Sequence, residues 1–103
     1  MIGQQEPRAP QAHMSLPCVL RRGVGAPIPA QTCDIGPRGV RITSPRPLAL
    51  DETVGFDLPG LDMRINGIAR VLRQERLHIY ALRFEGLPEP MTRRLHALAI
   101  NSR

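Results

Sequence analysis

One short segment gathers the groups that recognition of an anion requires: Asp34-Ile35-Gly36-Pro37-Arg38-Gly39, with Arg41 two residues further on. A carboxylate accepts hydrogen bonds from N–H donors. Guanidinium groups pair bidentately with phosphate or stack on a base, and glycine lets a ligand approach the backbone closely. Arg8 is a further cation upstream, in a stretch broken by Pro7 and Pro10. The same Asp34 and Gly39 suit a tight turn without any ligand. Other chemistry is poorly supplied. Cys18 and Cys33 are too few for a disulfide framework and lack metal-ligand spacing, and His13, His78 and His96 form no H-x-x-x-H pair. There is no G-x-S-x-G, no P-loop and no G-x-G-x-x-G, and His78 has no nucleophile or acid spaced with it. These residues point to a binding protein rather than an enzyme, with no metal and no resident cofactor.

The charge balance agrees with that chemistry. The chain of 103 residues carries 14 basic residues, all arginine, against 9 acidic ones, for a net charge of +5. Such a balance favours anionic partners but carries no information about fold. An all-arginine supply suits planar recognition of phosphate and guanine, although codon usage in a GC-rich genome is the simpler account of it. The length allows one small domain, and a hydrophobic content of 42% sets the chain apart from the disordered class. With Tyr80, Phe56 and Phe84 the only aromatic residues, the core is expected to be Leu, Ile, Val and Ala. No run of apolar residues is long enough for a transmembrane helix, and the polar N-terminus has no secretory h-region, so a cytoplasmic location is expected.

The positioning elements follow from periodicity. Residues 1–14 read as a flexible N-terminal arm, and residues 15–103 as the folded domain. Strands are expected over 15–22, 28–35, 39–44, 53–58, 63–71 and 77–84, separated by Gly- and Pro-rich turns. In the fifth, Met63, Ile65, Ala69 and Val71 would share one face, with Arg64, Asn66 and Arg70 on the other. The sixth is apolar on both faces, as suits a central strand under a helix. After Pro88 and Pro90 the period changes: Met91, Leu95 and Leu98 form the apolar stripe of a helix of about three turns. Arg93 and Arg94 fall on its wet face. The fold class is all-β with one C-terminal helix, a six-stranded antiparallel barrel.

The order of these parts resembles the PilZ domain family. The family pattern is an R-x-x-x-R arm, a strand beginning near Leu-Pro (here Leu16-Pro17), then (D/N)-x-S-x-x-G between the second and third strands. Its last strand and helix are similar to Tyr80–Leu87 and the segment that follows. The resemblance covers about residues 8–99. It implies a six-stranded PilZ-like barrel that binds cyclic di-GMP and regulates a partner, with Arg8, Asp34, Gly36, Arg38, Gly39 and Arg41 as the ligand-binding residues. Two departures stand out. Gly36 occupies the serine position, and Arg8 has Ala12 rather than arginine four residues on. A missing hydrogen bond to a charged group costs roughly 1.5–3 kcal/mol.

Two alternatives accompany this reading. One is a degenerate PilZ-like adaptor that contacts a protein partner without cyclic di-GMP. The other is a small basic nucleic-acid-binding barrel, disfavoured because few aromatics are available to stack on bases. A separate expectation concerns the thiols. If the first hairpin is symmetric about Gly23–Ala26, Cys18 and Cys33 oppose each other on neighbouring strands as reduced, buried neighbours.

Overall fold

In the computed structural model, which describes residues 10–101, the alternating runs become six strands and the final segment a helix. β1 spans Pro17–Arg21, β2 Ile28–Ile35, β3 Gly39–Thr43, β4 Thr53–Leu58, β5 Ile65–Arg76, β6 Ile79–Glu85 and α1 Glu89–Asn101. The sheet closes on itself in the order β1-β2-β3-β6-β5-β4, each neighbouring pair antiparallel. Closure satisfies backbone groups that an open sheet would leave along its edges.

The interior is aliphatic, as the shortage of aromatics requires. Leu20, Ile35, Ile42, Leu58 and Ile65 are wholly buried, and Phe56 meets Phe84 at a ring-centroid distance of 5.4 Å with tilted planes, a favoured aromatic geometry. Leu48, from the β3–β4 connection, joins the same core, and its N–H donates to the Tyr80 hydroxyl at 3.2 Å. α1 begins with Glu89 in its first turn, where an acid complements the helix dipole. It buries Leu95 and Ala99 fully, one turn apart, and packs Met91 and Leu98 partly against the same core.

Register shifts, one on β2 and two on β5, set which way the charged residues face. Along β2, Ile28, Ala30 and Thr32 alternate inward, and strict alternation would send Asp34 inward as well. The register instead shifts between Thr32 and Asp34, so that Thr32 opposes Ile42, Asp34 opposes Arg41 and Ile35 opposes Val40. The extra residue, Cys33, turns Asp34 to the outer face and returns Ile35 to the core. On β5, Val71 opposes Leu82 inside the barrel, and a shift before Arg73 places that arginine outward, opposite Ala81.

The register corrects the expectation for the thiols. Leu20 pairs with Ile28, which centres the hairpin on Val24 and puts Cys18 opposite Ala30, three positions short of Cys33. Cys18 is buried in the core. Cys33, at the bulge, is half-buried, with its Sγ 3.6 Å from Thr43 Oγ1. Met63 also departs from expectation: it precedes β5 and is 36% exposed, while Ile65, Ala69 and Val71 do face inward. β5 extends five residues beyond its expected end, pairing with β6 up to a tip where His78 adopts φ 68°. The His78 ring Nδ1 lies 3.1 Å from the Ser44 carbonyl oxygen, a structural contact.

Candidate functional site

The outer face of β3, β6 and β5 is a checkerboard of arginine and small residues. In one row Gly39 lies opposite Arg83 and Arg83 opposite Arg70; in the next, Arg41 lies opposite Ala81 and Ala81 opposite Arg73. Gly39 and Ala81 therefore leave a trough between long cationic side chains. Gly39 is required there for a backbone reason: a Cβ would collide with the Leu82 carbonyl oxygen on β6. The β2–β3 turn holds its shape through Gly36 N–H donating to the Gly39 carbonyl at 2.9 Å, and Phe84 N–H donates to the Arg38 carbonyl at 2.9 Å. Over the trough lies a cleft of about 750 Å³, bounded by this turn, by Gln11 and His13 ahead of β1, and by Thr92 of α1.

Some of the charges are already committed. Arg41 donates from Nε to Asp34 Oδ2 at 2.8 Å, and its Nη2 lies 2.7 Å from the same oxygen. Its Nη1 reaches Glu75 Oε1 at 3.1 Å, and Glu75 Oε2 also meets Arg73 Nη2 at 3.0 Å. The bonds to Glu75 and then Asp34 raise the Arg41 pKa above the ordinary arginine value. Arg70 donates to Glu85 at 2.7 Å, and this bond first, with Arg83 acting at longer range, holds the Glu85 carboxyl below its ordinary range against some desolvation. Arg38 and Arg83 differ. Both are exposed, and neither side chain makes a hydrogen bond or ion pair with a described residue.

Asp34, Gly36, Arg38, Gly39 and Arg41 all line this one cleft; Arg8 lies outside the described residues. Gln11, His13, Arg73 and Arg83 join them without having been expected from sequence. Arg73 and Arg83 become visible only once the β5–β6 register and its bulge are fixed. The gap expected at position 12 takes on a different meaning. Ala12 is fully buried and exchanges both backbone hydrogen bonds with Ile35, at 2.7 and 2.9 Å. A side chain there points into the core, and the residues on either side, Gln11 and His13, reach the cleft. Asp34 lines the cleft yet its side chain is only 2% exposed, and its Oδ1 is buried with no partner among the described residues.

A second cleft, of about 760 Å³, lies between Pro17, Pro29, Thr43, Pro45 and His78 and carries no arginine or carboxylate. Among the described residues no three His, Cys, Asp or Glu side chains gather as a metal site, and no helix is long and apolar enough to cross a membrane.

Comparison with known proteins agrees with the architecture. Among solved structures, the Bacillus subtilis inhibitor of motility, MotI/DgrA, superposes with a TM-score of 0.78 at 13% sequence identity, covering 95% of this chain and 51% of that one. The likeness is one of fold, and this chain spans about half of that protein's length. No curated protein matches the chain. The family model for the PilZ domain matches residues 4–101. With that match over nearly the entire sequence, and a closed six-stranded barrel followed by a helix, the chain belongs to the PilZ domain family.

Proposed function

We propose that this chain is a regulatory PilZ module whose cleft takes cyclic di-GMP and whose occupied state is read by a protein partner. The observation that carries this reading is the pair Arg38 and Arg83, two exposed guanidinium groups without carboxylate partners among the described residues, beside a floor of Gly39 and Ala81. A ligand with two phosphates and two guanines matches that arrangement. Guanidinium forks pair with phosphate oxygens or with guanine O6 and N7, and small floor residues leave room for a flat base. One neighbour in fold is an inhibitor of motility, and a regulatory role of that general kind is proposed here, with no catalytic step. Single-stranded nucleic acid fits less well, because Phe84, the one aromatic residue at the cleft, is buried and offers no stacking platform.

A second reading, an adaptor that works without the nucleotide, is favoured by one specific observation: Asp34 is enclosed and its Oδ2 is held by Arg41. Calorimetric titration of the full chain with cyclic di-GMP separates the two. The receptor reading expects saturable heat that Arg38→Ala and Arg83→Ala each weaken about ten- to a hundredfold, the equivalent of one charge-assisted contact. A flat trace at high ligand concentration selects the adaptor.

A further inference from the structure

The segment ahead of β1 is fastened to β2 at three levels. Thr32, itself buried, donates from Oγ1 to the Met14 carbonyl and accepts from Leu16 N–H at 2.9 Å. Ala12 exchanges two backbone bonds with Ile35 and fills core volume. At the third level, Pro10 lays its carbonyl against Gly36, where a Cβ would collide with that oxygen. Gly36 is thus the residue that admits the segment, and it stands where the family pattern has a side chain. Asp34 lies on β2 between Arg41 on one side and this segment's pairing with Ile35 on the other.

We infer that residues 10–14 form a latch that together with Arg41 keeps the Asp34 carboxylate enclosed at the wall of the cleft, and that Gly36 is the residue that lets it close. The latch itself is made of contacts within the chain; its functional meaning rests on the cyclic dinucleotide reading. Opening it would present the Asp34 carboxylate to the cleft beside Arg38. The physical basis is local. A Cβ at Gly36 meets backbone rather than a flexible side chain, so the neighbouring segment must move away. An arginine at position 12 cannot be placed in a dry core without a partner and would drive the same segment off from the other side.

Two variants of the full chain, Gly36→Ala and Ala12→Arg, test this without ligand. Amide hydrogen exchange reports docking, and carbodiimide-driven amidation read by mass spectrometry reports access to Asp34, with Asp62, whose side chain is 68% exposed, as internal reference. In the unsubstituted chain the Ala12 and Ile35 amides should be protected and Asp34 unlabelled while Asp62 reacts. In each variant those two amides should lose protection and Asp34 should become labelled, with the β5 and β6 amides still protected. Labelling of Asp34 in the unsubstituted chain to the extent of Asp62 overturns the latch. So does continued protection of Ala12 and Ile35 in the variants, or release of the segment with Asp34 still unlabelled. Because no nucleotide is used, these outcomes are independent of whether cyclic di-GMP binds. The variants act from opposite sides, so general loss of β5 and β6 protection in one leaves the other decisive.

Discussion

Gly39 on β3 lies directly across the ladder from Arg83 on β6, so a position where a Cβ would collide with backbone faces an arginine whose side chain has no hydrogen-bond or ion-pair partner among the described residues. The glycine permits close approach of the strands, and the space above it lies beside a guanidinium that meets the Glu85 carboxylate only at longer range. The two residues therefore answer to different tests. Gly39→Ala forces a Cβ into the Leu82 carbonyl and should cost about 1–3 kcal/mol, as overpacking does. Arg83→Ala removes an exposed side chain and should change stability by no more than about 0.5 kcal/mol. Urea unfolding monitored by circular dichroism distinguishes them, and equal effects would contradict this assignment of roles.

Arg41 and Asp34 should behave as a coupled pair. Truncating Arg41 alone leaves a carboxylate with 2% side-chain exposure and no donor, a loss of about 1–3 kcal/mol for an unsatisfied buried polar group. Removing both, in Arg41→Ala/Asp34→Ala, should cost less than the sum of the single variants, because the stranded charge is gone as well. Strict additivity in a double-mutant cycle would show that the 2.8 Å contact contributes nothing to the folded state.

The two thiols should differ sharply in reactivity. Burial first, and the charge of Cys33 second, push the Cys18 thiol up to about 12, so its thiolate is scarce at neutral pH. Cys33 is half-buried on the outer face. Iodoacetamide labelling followed by peptide mapping should modify Cys33 first, leaving Cys18 protected until the chain unfolds. Equal labelling under native conditions would contradict the observed register of β1 and β2.

Much of the fold was legible in the sequence because its signals are local. Val40-Arg41-Ile42 alternates as a half-buried strand must, and Pro88-Glu89-Pro90 followed by Met91, Leu95 and Leu98 marks a helix start and its apolar stripe. What escaped depended on register. Cys33 looks like any strand residue, yet as the bulge it turns Asp34 outward, and a similar shift brings Arg73 beside Ala81. Arg83 enters the site only because β6 sits between β3 and β5. The setting of position 12 depends on a contact of the same kind: the pairing of Ala12 with Ile35 decides which side chains of that segment face the cleft, and this pairing spans more than twenty residues of sequence.

Acid should weaken the fold through its arginine-paired carboxylates. The Arg64 hydrogen bonds hold the Asp57 carboxyl below its ordinary range, Arg22 does the same for Glu52 and Arg70 for Glu85, each against partial desolvation. A folded-state pKa below the unfolded value of about 4 means that the unfolded chain binds more protons in that window. The stabilisation is therefore present above pH 4 or so and is lost as pH falls through the depressed values. Urea midpoints measured from about pH 6 down to about pH 2 should fall, and Arg64→Gln, which frees Asp57, should flatten that slope. An unchanged slope would show that the Asp57–Arg64 pair is too well solvated to matter.

The central claim is that this barrel takes cyclic di-GMP in the arginine cleft, and amide chemical-shift mapping on the full, isotope-labelled chain tests it most directly. Titration with cyclic di-GMP should shift saturably the amides of Gly36, Arg38, Gly39 and Arg83, leave those near Pro29, Thr43 and His78 unmoved, and lose the response in Arg38→Ala/Arg83→Ala. Shifts centred on the Pro29 and His78 cleft, or none at millimolar nucleotide, would contradict it.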